Sequence, residues 1–99
     1  MQQLSRITPA TINVLQCLLA GGATWGLLVI KQSGRPAGSV YPILERLERA
    51  GWVTSEWDDD TARPGPRRRL YCLTSDGAIS ARHAVRSRPA VASIAGATA

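Results

Sequence analysis

Ninety-nine residues with 12 Lys and Arg against 7 Asp and Glu, a formal net charge of +5, suffice for one domain with one small core. They leave no room for that core and a roomy catalytic cleft together. Every cation but Lys31 is an arginine, a balance that favours a polyanionic partner.

The longest apolar patches, VLQCLLA and WGLLVI, are too short to span a bilayer. The opening MQQLSRITP lacks the apolar stretch of a signal peptide, so the expected location is the cytoplasm. Cys17 and Cys72 form no CxxC pair and no His cluster accompanies them, which predicts neither a disulfide framework nor a zinc site.

Thr8 before Pro9 reads as an N-cap followed by the first helical residue, and ATINVLQCLLA carries that helix to Gly21-Gly22. Val14, Leu15, Leu18 and Leu19 are expected to face inward. Thr24 is the expected cap of a second helix, WGLLVIKQS, ended by Gly34 as a left-handed C′ residue. A third helix follows the turn GRPAG. Its Val40, Ile43, Leu44 and Leu47 fall at i, i+3, i+4 and i+7, the spacing of one buried face.

Pro42 is the oddity of that helix. If Ser39 is the N-cap, Pro42 is the third helical residue and its missing N–H had no intrahelical partner to lose. If the helix begins at Pro36, the proline sits deeper and should bend the first turn. The sequence admits both.

After Gly51, WVTSEW and RLYCLT are strand candidates joined by DDDTARPGPRR, whose Pro and Gly mark an exposed hairpin tip. Thr74 is the expected cap of a fourth helix, SDGAISARHAVRS, ended by Pro89 and carrying a thin stripe of Ala78, Ala81 and Val85 with Ile79 beside it. The closing AVASIAGATA reads as a frayed terminus. This order, three helices, a two-stranded wing and a C-terminal helix, is that of a winged helix-turn-helix, mostly α with a small β-hairpin. Residues 1–88 are the expected DNA-binding domain and 89–99 a flexible tail.

In such a fold the third helix enters the major groove. At 100° per residue, Gly38, Pro42, Glu45 and Arg49 point most directly away from its apolar face, with Ser39 and Arg46 on one flank and Tyr41 and Glu48 on the other. Small residues at its start allow close approach to DNA. Ser39 and Tyr41 suit phosphates or bases, and Arg46 and Arg49 can reach guanine or the backbone. Glu45 either accepts from a cytosine amino group or pairs with Arg49 at i+4.

Arginines and glutamates at this spacing also suit a merely solvated face. RPGPRRR tips the balance, because Arg63, Arg67, Arg68 and Arg69 crowd a hairpin tip where a packing role is not expected and a minor-groove or phosphate contact is easy. Asp58, Asp59 and Asp60 on the other arm offset part of that charge. The candidate DNA-contacting set is Ser39, Tyr41, Pro42, Arg46, Arg49, Arg63, Arg67 and Arg68.

GSVYPILERLERAGWVTSEW followed by GPRRRLYCLTSDG closely resembles the winged-helix core of PadR-like transcriptional regulators. The matching features are Tyr41-Pro42, the leucines Leu44 and Leu47, Glu48 to Gly51, and Tyr71, Leu73, Thr74 and Gly77. TWGLLVIKQSG resembles the family's second helix, with Gly26 in place, and the resemblance runs from about Thr8 to Arg86. It implies a cytoplasmic repressor that binds double-stranded DNA, as a homodimer, through Ser39, Tyr41, Arg46, Arg67 and Arg68. The short fourth helix departs from the longer C-terminal helices of the family, and the residues single out no small-molecule effector.

Two other classes compete. A winged helix can be a protein-interaction module that binds no DNA, and such a module normally presents an apolar or acidic face. An enzyme finds little here: His83 is the sole histidine, and no paired carboxylates, phosphate-cradling loop or cofactor motif accompany it. Trp25, Trp52 and Trp57 are expected to fill the core and support the wing.

Overall fold

The Thr8 side chain accepts from the Thr11 N–H at 3.2 Å, and Pro9 fills the first helical position, so α1 (Pro9–Leu19) starts where its cap predicts. Ile12, Val14, Leu15 and Leu18 of α1 are buried, while Leu19 is only partly covered. The computed structural model describes residues 1–4, 6–59, 62 and 64–87. The expected tail, residues 89–99, lies outside them, as does Pro89.

Thr24 does not cap the second helix. Thr24 and Trp25 form a two-residue strand, β1 (Thr24–Trp25), so α2 (Gly26–Ser33) begins at Gly26 with no side-chain cap. A Thr-Trp pair suits extended backbone, and β1 finds an antiparallel partner in β3 (Arg69–Leu73), Thr24 opposite Tyr71 and Trp25 opposite Leu70. The wing strand β2 (Val53–Trp57) pairs with the other edge of β3, Ser55 opposite Tyr71 and Trp57 opposite Arg69. The sheet therefore has three strands, in the order β1-β3-β2, where two were expected.

Strand geometry turns Thr24 inward at 3% exposure, and its hydroxyl finds no hydrogen-bond partner among the described residues. An unpartnered buried hydroxyl costs free energy that a methyl group does not. Thr24→Val is accordingly expected to leave stability unchanged or raise it by up to about 1 kcal/mol in denaturant titration. A loss of that size instead would mean the hydroxyl has a partner.

α2 ends at Gly34, in the left-handed region at φ 73°, with its N–H on the Ile30 carbonyl at 3.1 Å. At the following turn Arg35 Nε donates to Asn13 Oδ1 at 2.8 Å, tying that turn to α1. α3 (Ala37–Arg49) takes the earlier of its two admissible starts, with Pro36 as N-cap. Pro42 is then the sixth helical residue, and the Gly38 carbonyl loses its i+4 donor. Gly38 is exposed, so water can take that place. Val40, Ile43, Leu44 and Leu47 are all buried, as their spacing predicts.

Trp52 anchors the junction of α3 with the sheet. Its indole Nε1 donates to the Gln2 carbonyl at 2.7 Å, while Gln2 N–H donates to the Ala50 carbonyl at 2.8 Å, binding the N-terminal segment across the end of α3. α4 (Ser75–Arg86), capped by Thr74, starts against the same tryptophan. The Thr74 N–H donates to the Trp52 carbonyl at 2.9 Å, and the Thr74 hydroxyl accepts from Gly77 N–H at 2.9 Å while lying 3.0 Å from the Gly51 carbonyl oxygen.

The inward face of α4 is rotated from the predicted stripe. Gly77, Ala81 and Ala84 are buried, Ala78 and Val85 only partly, and Ile79 is 61% exposed. The reason is contact at the first turn, where Gly77 lies against the backbone of Trp52. Small side chains one and two turns on keep α4 close to α1.

Candidate nucleic-acid interface

The outward face of α3 carries the residues its periodicity assigns. Tyr41, Pro42, Arg46 and Arg49 are exposed and Ser39 is partly so. Glu45 takes the second of its two readings: Arg49 Nη2 lies 2.6 Å from Glu45 Oε1, an exposed i,i+4 pair. Arg49 thus already has a carboxylate partner, while Arg46 of the same face is exposed.

Tyr41 is held where α2 begins. A Cβ on Gly26 would stand 2.3 Å from Tyr41 Cε1, so the phenol ring lies directly over that glycine. Any larger residue at Gly26 would push the ring away from α2. The requirement explains a glycine at the first position of a helix.

The wing arginines divide by the pleat of β3 and the residues leading into it. Side chains of successive extended residues point to opposite sides. Arg67 and Arg69 turn towards Trp57, their guanidinium carbons 5.4 and 5.1 Å from its ring centroid. Arg68 turns the other way, 4.1 Å from the ring centroid of Trp25. These distances are those of cation–π contacts, in which a guanidinium lies over an aromatic face. Asp58 N–H donates to the Arg68 carbonyl at 2.8 Å, continuing the hairpin outward. Arg63 and Asp60 lie outside the described residues.

The tryptophans correct an expectation. Trp52 alone fills the core; Trp25 is half-buried and Trp57 is 49% exposed, and both serve as platforms for arginines. Sequence reasoning also missed Ser55, and it named Tyr71 only as a position matching the family, not as part of the site. The signal for Trp57 was its cross-strand position opposite Arg69, which appears only once the hairpin register is known.

These pieces meet around a cleft of about 310 Å³ between the start of α2, Tyr41 of α3 and the wing. Trp25, Tyr41 and Tyr71 form its aromatic walls and Arg67, Arg68 and Arg69 its cationic rim; none of the described residues lining it is acidic. Burial pushes the Tyr71 phenol above its ordinary pKa, with the Glu48 charge adding to the rise and Arg69 opposing it. Tyr71 therefore stays protonated at neutral pH. The cleft lining itself carries one sign of charge beside aromatic side chains, a pattern suited to an anionic backbone.

Residues 23–83 match the model of the transcriptional regulator PadR-like family. Among solved structures, the chain is similar to the circadian clock associated protein Pex from Anabaena, at a TM-score of 0.72 and 21% identity over 89% of this chain and 81% of that one. It is similar too to a PadR family transcription regulator from hypervirulent Clostridium difficile R20291, at 0.71 and 19% over 92% and 98%. Bordetella bronchiseptica BpsR, whose DNA binding is regulated by 6-hydroxynicotinic acid, aligns at a TM-score of 0.67 and 26% identity, over 95% of this chain and 61% of that one. No curated protein matches the chain.

Proposed function

The chain belongs to the transcriptional regulator PadR-like family, and from it we propose a cytoplasmic repressor that binds specific sites on double-stranded DNA, with α3 in the major groove and the wing on the backbone. The observation that carries this reading is the shared cleft, which Tyr41 of α3 and Arg67, Arg68 and Arg69 of the wing all border, with no acidic residue among the described lining. A duplex laid along α3 would meet base-reading and phosphate-binding groups at once. Residues 1–88 are the proposed DNA-binding unit. Ser39, Tyr41, Pro42 and Arg46 are the proposed contacts of the helix, with Arg49 in a secondary place because of Glu45. Arg63, Arg67 and Arg68 are those of the wing.

One winged helix covers one half-site, so the proposed binding form is a homodimer. α1 and α4 are the elements proposed for its contact, since the α3 and wing surfaces are committed to DNA. No described helix is long and apolar enough to cross a membrane, and the proposed chemistry needs no cofactor.

A mobility-shift titration on DNA flanking the chain's own gene, at stated salt, tests the reading. The expected product holds two chains per operator. Arg46→Ala should weaken specific binding by about 1 to 3 kcal/mol, roughly five- to over a hundredfold, without altering the fold. Unchanged affinity would remove Arg46 from the interface. Absence of any shift by the unmodified protein at low salt would overturn the function itself.

A further inference from the structure

Glu48 lies on the last turn of α3, yet its carboxylate engages the wing. Its Oε2 accepts the Ser55 hydroxyl of β2 and lies 3.9 Å from Arg69 Nη2 of β3. Arg69 Nε donates in turn to Ser55 Oγ at 3.0 Å. Three side chains from three elements thus close a ring across the junction of α3 and the hairpin. Ser55 is its centre, donating its one proton to the carboxylate and accepting from the guanidinium.

The ring bears on the proposed interface through Arg69. That residue also lies 5.1 Å from the Trp57 ring centroid, and Arg67 lies 5.4 Å from it, so a displaced Arg69 would disturb the platform that Arg67 shares. Tyr41 and Arg46 lie on the same helix as Glu48, which leaves a short, charge-assisted connection between the residues proposed to read bases and those proposed to touch phosphate. We infer that Glu48 and Ser55 are positioning residues: a latch that fixes the wing against α3 so that both address DNA in one register. The inference rests on the DNA-binding reading above.

Electrostatics gives the test a sign. Glu48→Gln raises the formal net charge from +5 by one, so if Glu48 were only a surface carboxylate near DNA, its removal would tighten binding. The latch requires the opposite. A glutamine amide keeps an oxygen for Ser55 but no charge for Arg69, and the wing loosens.

The experiment compares the unmodified chain with Glu48→Gln, Ser55→Ala and Ser55→Thr in two measurements. DNA binding at fixed salt should weaken about three- to tenfold in Glu48→Gln and in Ser55→Ala. Ser55→Thr, which keeps the hydroxyl on a strand position that suits threonine, should stay within about twofold of the unmodified chain. In the free protein, amide exchange at Glu56 and Leu70, which face each other across β2 and β3 two residues from the Asp58 N–H bond to the Arg68 carbonyl, should quicken in the two weakened variants while α1 amides remain unchanged.

Equal or tighter binding by Glu48→Gln overturns the latch, and so does unaltered wing exchange. Uniformly faster exchange that includes α1 overturns it also, because the defect would then be global stability. An unmodified chain that binds no DNA overturns the parent reading instead, and the exchange measurement, made without DNA, keeps the two failures apart.

Discussion

Gly77→Ala is expected to destabilise the protein by about 3 kcal/mol, lowering its melting temperature by roughly 12 to 24 °C in a thermal unfolding scan. Helix propensity alone predicts the reverse, since alanine inside a helix is favoured over glycine by about 1 kcal/mol. Geometry decides against propensity. A Cβ at Gly77 would stand 2.0 Å from the Trp52 carbonyl oxygen, 2.7 Å from its carbonyl carbon and 2.8 Å from its Cα, all backbone atoms that no rotamer change can move aside.

Relief would require α4 to lift. That movement would strain the Thr74 bonds to the Gly51 and Trp52 carbonyls and uncover Ala81 and Ala84, so the clash cannot be absorbed locally. Gly22→Ala is the control: nothing lies within 4 Å of a Cβ there. Its melting temperature should hold or rise by a few degrees, at most about 1 kcal/mol, through reduced freedom of the unfolded chain. A Gly77→Ala protein that melts within about 3 °C of the unmodified one would show that α4 does not rest on Trp52.

The same residues mark how far the sequence can be read. Caps and apolar spacing are local properties, so Thr8, Thr74, Gly34 and the Val40-Ile43-Leu44-Leu47 face are all legible in the order of the residues alone. Thr24 is not. A threonine ahead of an apolar run fits a cap or a strand equally well, and the choice is made by Tyr71 and Leu70, more than forty residues away. The α4 stripe misleads for a related reason, because the helix is turned by contact with Trp52 and not by its own pattern. At the interface, residue types point to Tyr41, Arg46 and the arginine run; the pairing of each arginine with its platform, and the role of Glu48, depend on hairpin register and on the angle of α3 to the sheet.

The wing supplies the largest expected change in DNA binding. A cation seated on a phosphate releases a counterion, so log K falls against log[salt] by about 0.9 for each phosphate neutralised. Replacing Arg67 and Arg68 together with alanine should flatten that slope by about 2 per protomer. Between 50 and 200 mM salt, the unmodified protein should then lose about tenfold more affinity per protomer than the variant does. All sequences should be weakened nearly alike, because phosphate contacts position the protein without reading bases.

The stacking geometry adds a finer expectation. Arg67 shares Trp57 with Arg69, whereas Arg68 lies alone among the described arginines on Trp25. Arg68→Lys keeps the charge but gives up the planar guanidinium that the indole orients, so it should preserve the salt slope while lowering affinity. Trp25→Ala should act like Arg68→Lys if the platform matters, since the arginine would keep its charge and lose its orientation. A double Arg67 and Arg68 substitution that leaves slope and affinity untouched would place the wing off the DNA, and RPGPRRR would then be a solvated loop whose arginines rest on tryptophan for packing alone.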